Sequence, residues 1–212
     1  MKFFKKTVFI LLIIAAVGSL PIFFNFFWVI RGYLDPDLVS RGMDNYRNRS
    51  SRFLIGEIRS FSPYNSHVAM KVLVERKDRE AVEAIAELLK SGNSQRRADA
   101  AKALASIGDQ RAIEPLLELQ KKGRTSSDYL ISMEALSALH YEKIYPEILQ
   151  MVKDGYHVSW AIDMLENFGN NSETQVVLKN IAQNNPQEYV RTKAKNTLDR
   201  INKDVSGRQM RL

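Results

Sequence analysis

The order of apolar and polar residues along the chain predicts a repeated pair of helices. Leucines recur at spacings of 31, 32, 29 and 33 residues, at Leu73, Leu104, Leu136, Leu165 and Leu198. A second match at an offset of 31 residues aligns the segment starting at Asp78 with the one starting at Asp109. Periods of this length indicate a solenoid, because single copies bury their apolar faces only when they stack.

Three further columns define the helix that carries each leucine. Four residues before it stand small side chains, at Ala69, Ala100, Ser132, Ala161 and Ala194. Three residues after it stand large apolar ones (Ile107, Leu139, Phe168 and Ile201), with Arg76 as the exception. These positions share one helical face, which predicts the core. Four residues after it come Lys77, Gly108, His140, Gly169 and Asn202. Glycine, asparagine and histidine tolerate the left-handed backbone conformation that ends a helix, so this column predicts helix caps.

These columns predict an all-α, right-handed α-solenoid of about five helical hairpins over residues 50–202. We place the copies at 50–77, 78–108, 109–140, 141–169 and 170–202. Asp78 and Asp109 are expected to cap first helices. Pro115 and Pro146 are expected to bend the helices that contain them.

The N-terminal segment predicts a transmembrane anchor over residues 1–30. Thr7 to Ile30 is a run of 24 residues without a charge. As a helix it measures about 36 Å, more than the roughly 30 Å of a bilayer's hydrocarbon core. Phenylalanines and Trp28 crowd its C-terminal end, as in an interfacial aromatic belt. Residues 31–49 form a connector in which Asp35 and Pro36 signal a helix start.

A cleaved signal peptide is the alternative for this segment. Ala16-Val17-Gly18 has the small-x-small pattern of a cleavage site, and the mature chain would then begin at Ser19. The apolar run continues well past that site, which favours the uncleaved, single-pass anchor. Basic residues flank both ends of the run almost equally, so their count does not decide the orientation. The expectation that the C-terminal domain is extracytoplasmic rests on the short lysine-rich N-terminus and on the absence of cysteines.

One stretch of sequence is specific enough to indicate a family. The residues from Arg97 to Leu117 strongly resemble the short HEAT-like repeats of the phycobilin-lyase type, and Val190 to Ala194 resemble the same helix start. The resemblance implies an α-solenoid with a concave and a convex surface. It implies no bilin chemistry, because these repeats occur in many proteins without a bilin and a fold does not fix a function.

The net charge of +7 suggests nucleic-acid binding until it is divided along the chain. Residues 1–30 carry +3, residues 31–62 carry +2, and the basic C-terminal tail, residues 203–212, carries +2. Residues 63–202 are neutral. Since a nucleic-acid-binding surface needs its positive charge on the folded body, we expect no nucleic-acid partner.

The composition offers little chemistry. The chain contains no cysteine, which excludes disulfides and thiolate sites. Its three histidines share no ligand spacing, and no phosphate-binding or nucleophile motif is present. Glu134 and Asp163 are weak catalytic candidates, since any two carboxylates across a solenoid form a pair. We therefore expect no catalytic residue, cofactor or metal, and no enzymatic activity.

The exposed face of the second helices is the candidate binding surface. Five residues before each leucine stand Val68, Asp99, Ile131, Trp160 and Lys193, at a position predicted to point away from the core. Ile131 and Trp160 are apolar there, and Tyr129 and Tyr156 are expected in the turns entering the same helices. Together with Glu134 and Asp163 they form the predicted partner-binding site. In the alternative interpretation, Trp160 covers the core of its own repeat.

These expectations combine into one functional hypothesis. The chain is predicted to be a membrane-anchored, non-catalytic scaffold that binds a protein partner near the bilayer. A bilin-lyase-like or other cofactor-handling repeat protein is the alternative.

Overall fold

The structure, a computed structural model, describes residues 38–60, 62–121, 123 and 126–209. Within these residues the chain forms eleven α-helices and no strand. They divide into two compact units, unit 1 ending at Glu75 and unit 2 beginning at Arg76. Among the described residues, no helix combines the length and the apolarity needed to span a bilayer. The predicted anchor at residues 7–30 lies outside the described residues.

The described part of unit 1 contains three helices around a small apolar core. They are α1 (Leu38–Tyr46), α2 (Ser51–Ile58) and α3 (Pro63–Glu75). Ser50 caps α2 by accepting a hydrogen bond from the Phe53 amide. The Ser66 hydroxyl donates to the Ile58 carbonyl at 2.9 Å and ties α3 to the end of α2. Since α1 lies in the predicted connector, the helical part of the chain begins before residue 50.

Unit 2 contains four helical hairpins. Their helices are α4 (Val82–Glu87), α5 (Ser94–Ile107), α6 (Ile113–Gln120), α7 (Ser127–Ala138), α8 (Tyr145–Lys153), α9 (Val158–Glu166), α10 (Ser172–Asn184) and α11 (Glu188–Gln209). The first helix of each hairpin packs against the second, and the second helices stack in the order α5, α7, α9, α11. Short 3₁₀ turns precede α4, α6 and α8. This is the predicted stack of helix pairs.

The predicted core columns are buried. Leu73, Leu104, Leu136 and Leu165 are fully buried, and so is every member of the small-residue column four positions earlier. A small side chain at that position lets the helix of the next copy approach closely. In the column three residues after each leucine, Ile107, Phe168 and Ile201 are buried. Leu139 of that column and Leu198 depart from the pattern, since both are only half-buried.

The helix ends follow the sequence in part. Asp78 and Asp109 cap the 3₁₀ turns at the start of their copies. Each side chain accepts a hydrogen bond from the backbone amide two residues later. Lys77, Gly108 and His140 adopt the left-handed conformation that the cap column predicts. His140 closes a Schellman motif, in which its amide donates to the Ser137 carbonyl and the Tyr141 amide to that of Leu136.

The cap prediction is wrong for Gly169 and Asn202. A Cβ on Gly169 would lie 2.7 Å from Ile201 Cγ1, so glycine is required there for close packing and not for a left-handed turn. Asn202 lies inside α11, which continues to Gln209 and therefore takes up most of the predicted tail.

The proline prediction also needs correction. Pro115 is the third residue of α6 and Pro146 lies in the first turn of α8. Amides of the first helical turn have no carbonyl partner within the helix. Both prolines are therefore accommodated at helix starts without breaking a hydrogen bond.

Polar contacts between neighbouring copies repeat at the spacing of the array. Arg97 Nε donates to both oxygens of Asp128 at 3.0 Å, Arg200 to Glu166 at 2.6 and 2.7 Å, and Asn167 Nδ2 to Ser137 Oγ at 3.1 Å. Each joins side chains 30 to 34 residues apart. Unit 2 is thus held by polar links as well as by its apolar layers.

Candidate functional site

The candidate site is a groove at the N-terminal end of α9. It has a volume of about 480 Å³ and lies between α9 and the start of α11. Its lining residues are Gly155, His157, Val158, Ser159, Trp160, Gln187 and Tyr189. Trp160 is 39% exposed, Tyr189 is 62% exposed, and Tyr156, beside His157, is 36% exposed. We call Tyr156, Trp160 and Tyr189 the aromatic cluster.

The turn between α8 and α9 directs Tyr156 outward. Gly155 is left-handed, and its amide donates to the Val152 carbonyl while the Tyr156 amide donates to that of Met151. This is a second Schellman motif, and it places Tyr156 just past the end of α8. His157 is also left-handed and begins α9, with its ring edge-on to Tyr156 at 4.1 Å between centroids.

The helical phase of α9 explains the exposure of Trp160. Ala161, Ile162 and Leu165 face the core and are fully buried. Trp160 and Asp163 lie three residues apart on the opposite face, and both are exposed. Trp160 is 39% exposed and thus partly accessible, while Met164, one helical turn further on, is buried.

Tyr189 is the site residue that the sequence analysis missed. It lies nine residues before Leu198, and Tyr156 lies nine residues before Leu165. The two tyrosines thus occupy the same column of the repeat, one copy apart. This spacing was the available signal, and the columns of the sequence analysis do not reach it because they begin five residues before each leucine.

A lysine closes one side of the groove. Lys193 Nζ donates to Asp163 Oδ2 at 2.6 Å and to Ser159 Oγ at 3.0 Å. A serine beside a lysine is the arrangement of some hydrolases, in which a neutral amine accepts the hydroxyl proton. Here Lys193 Nζ is the hydrogen-bond donor to both oxygens, so it does not accept the proton of the Ser159 hydroxyl. The three side chains therefore join α9 to α11 as a structural link.

A second ion pair joins the same two helices at their other end. Arg200 binds both carboxylate oxygens of Glu166, and this bidentate hydrogen bond lowers the pKa of Glu166. The carboxylate remains ionised at neutral pH. The groove is thus formed by two helices that two ion pairs fix relative to each other.

The other predicted site residues lie elsewhere. Ile131 and Glu134 are half-buried on α7 and do not line the groove. Trp160 therefore lines the same groove as Tyr189 of the following copy, whereas the sequence predicted a shared surface with Ile131 of the preceding one. Val68, in the same column, is fully buried in α3 of unit 1.

Tyr129 requires a correction. It was expected in a turn, but α7 begins at Ser127, so Tyr129 lies inside the helix and is only 2% exposed. Its hydroxyl donates to Glu147 of α8 at 2.6 Å. Seven residues before Leu136 is two helical turns, which is the core face. Tyr129 is a core residue and not a contact for a partner.

No three His, Asp or Glu side chains among the described residues come together in a way that could hold a metal ion. The aromatic cluster and its hydroxyl and amide neighbours offer apolar contact and hydrogen bonding. Such a surface suits recognition of another molecule.

Comparison with known proteins places the repeats in a general class. Residues 51–140 match the family model described as HEAT repeats, and no curated protein matches the chain. The match does not show whether the repeats are of the phycobilin-lyase type or of another HEAT type. HEAT repeat proteins are generally non-catalytic and commonly serve as protein-interaction scaffolds. The match and the all-helical fold of the described residues together support a HEAT-like repeat protein.

Proposed function

We propose that this chain is a single-pass, membrane-anchored and non-catalytic scaffold that binds a protein partner near the bilayer. The partner would contact the aromatic cluster on unit 2. The observation that carries the proposal is the exposure of Trp160 and Tyr189 in one groove, with exposed Tyr156 against the groove residue His157.

The aromatic cluster has the properties of an interaction hot spot. Tryptophan and tyrosine are enriched among residues that dominate binding energies, because they bury large areas and retain a polar atom for hydrogen bonding. The link from Lys193 to Asp163 and Ser159 holds α9 and α11 together beneath the cluster. A surface fixed in this way loses little conformational freedom on binding. The partner is expected to insert an apolar side chain between Trp160 and Tyr189.

The membrane part of the proposal rests on the sequence. The charge-free run from Thr7 to Ile30 has the length and the aromatic end of a transmembrane helix. The anchor would keep the repeats beside the bilayer, with the C-terminal domain on the extracytoplasmic side. Proximity then raises the effective concentration for a partner that is itself at the membrane.

Site-specific photo-crosslinking tests the binding surface. A photoreactive amino acid at position 189 of the full chain should capture a discrete partner in native membranes. Trp160→Ala should reduce that capture at least tenfold, since loss of a hot-spot aromatic costs about 2 kcal/mol or more. Tyr189 itself is highly exposed, so the photoreactive replacement should leave folding intact.

Two controls separate binding from folding. Leu165→Ala, on the buried face of the same helix, should lower the melting temperature far more than Trp160→Ala, since burial makes a large-to-small change cost about 2–5 kcal/mol. A photoreactive residue at exposed Val176 on α10 should capture nothing specific. Equal capture from positions 176 and 189, or equal destabilisation by the two alanine variants, would overturn the proposal.

A further inference from the structure

Unit 1 presents arginines around an exposed phenylalanine at the turn between α1 and α2. The residues are Tyr46, Arg47, Arg49, Arg52 and Phe53, and we call them the arginine turn. The three arginines are exposed, and Phe53 is 39% exposed. The buried face of α2 is formed by Leu54 and Ile58, so Phe53 lies outside it.

The ring of Phe53 is held in place. Its amide donates to the Ser50 hydroxyl at the start of α2. The guanidinium carbon of Arg49 lies 5.1 Å from its ring centroid, and Tyr46 meets it edge-on at 5.7 Å. The Tyr46 hydroxyl in turn donates to Glu57 at 3.2 Å. These contacts therefore hold the Phe53 ring in a position where it is partly exposed to solvent.

The charge around the ring is strongly positive. Residues 38–59 contain five arginines, all exposed, against two acidic residues. Both acids are engaged: Asp44 accepts from Arg47 at 2.6 Å, and Glu57 accepts from Tyr46. Arg47 also lies 3.4 Å from Glu75. Residues 38–59 therefore carry a net charge of +3.

We propose that the arginine turn binds the anionic headgroups of bilayer lipids, with Phe53 entering the interface. This inference rests on the proposed membrane anchor. Guanidinium groups match phosphate oxygens in a bidentate geometry, and basic residues are attracted to an anionic leaflet. Aromatic rings are favoured at the headgroup level. The surface combines these features within a few residues.

The position of the turn in the chain favours lipid over nucleic acid. Seven residues, 31–37, join the predicted anchor to α1. A chain of that length spans at most about 24 Å. Since α1 adds about 14 Å, the turn is tethered within roughly 40 Å of the bilayer surface, where even weak attraction to headgroups is effective.

A fluorescent reporter tests the contact on the full chain. The protein has no cysteine, so Asn48→Cys gives a single labelling site within the exposed turn. An environment-sensitive dye at this site should shift its emission to the blue in vesicles of phosphatidylcholine with phosphatidylglycerol. The shift should be absent in phosphatidylcholine alone, and it should decrease at high salt.

Variants identify the residues responsible. Arg49→Gln with Arg52→Gln should remove most of the shift, and Phe53→Ser should reduce it while leaving its salt dependence. Lys143→Gln with Lys153→Gln makes the same change in charge on unit 2 and should leave the shift unchanged. The dye attached at Val176→Cys should not respond to either lipid. An unchanged shift in the double arginine variant would overturn the proposal.

Flotation of the same samples distinguishes this inference from the anchor. Protein that floats with both vesicles while the dye stays unshifted, or shifts equally in both, overturns the lipid contact and leaves the anchor standing. Protein that floats only with anionic vesicles supports the contact and overturns the anchor. Protein that floats with neither overturns both. If RNA without vesicles shifts the dye emission and lipid does not, the ligand of the arginine turn is nucleic acid and the lipid proposal is wrong.

Discussion

At the scale of single residues, the contact between Arg97 and Asp128 is the most buried ion pair of unit 2. Arg97 donates to both carboxylate oxygens at 3.0 Å and also to the Ser91 carbonyl at 2.7 Å. The exposed fractions of the two side chains are 12% and 5%. Two charges at such depth are tolerated because each satisfies the other. The pair joins α5 to the first turn of α7, one copy apart.

Removal of one partner should therefore destabilise unit 2. Asp128→Ala leaves the Arg97 guanidinium without its main acceptor, and we expect a loss of about 3–5 kcal/mol in the free energy of unfolding. Urea denaturation followed by circular dichroism measures it. Glu87→Ala, which breaks the exposed pair with Lys90, should cost about 0–1 kcal/mol. If the two variants unfold alike, the buried pair contributes no more than a surface one.

At the scale of the helix, the turn that ends α5 depends on a left-handed residue. Gly108 has φ of 77° and donates its amide to the Leu104 carbonyl at 3.1 Å. The same role falls to Lys77 and His140, whose side chains make that conformation less favourable. A Cβ on Gly108 would meet nothing within 4 Å. The requirement for glycine there is therefore one of backbone conformation and not of space.

Gly108→Ala should accordingly lower the free energy of unfolding by about 1–2 kcal/mol, because alanine must adopt the left-handed backbone conformation there. Gly92 is a matched control, since a Cβ there also meets nothing within 4 Å and its backbone is not left-handed. Gly92→Ala should be neutral or stabilising by up to about 1 kcal/mol, because alanine restricts the unfolded chain. Thermal denaturation of both variants distinguishes them. Equal melting temperatures would mean that the helix end adapts without strain.

At the scale of the whole molecule, each copy in unit 2 depends on its neighbours. The second helices stack in sequence, and the buried column from Leu104 to Leu165 lies in the layers between them. Repeat arrays gain stability from such interfaces more than from single copies. Stability is therefore expected to fall steeply when copies are removed.

Truncation after Ile107 should leave an unstable fragment. It would remove α7, which packs against α5, and with it Asp128, the partner of Arg97. We expect low helicity by circular dichroism and rapid proteolysis of residues 76–107 when the other copies are absent. The stability of the full array is the reference. A fragment that unfolds in urea at the same midpoint would contradict the dependence between copies.

The repeat and its core were predictable because they depend on local periodicity. A leucine every 29 to 33 residues, with a small residue one helical turn before it, determines which helical face is buried whatever the neighbour is. The exposure of Trp160 follows from the same phase. The burial of Tyr129 was predictable too, since it lies two turns before Leu136, but its assignment to a turn concealed this.

The tertiary structure alone decided which exposed residues share a groove. The helical phase predicts the direction of Trp160, but its place in one groove with Tyr189 and not with Ile131 depends on how the start of α11 packs beside α9. Likewise, the close packing of Ile201 against Gly169 explains why position 169 requires glycine. Helical phase is a property of each segment, whereas contacts between copies depend on the angle and distance between helices, which no single segment encodes.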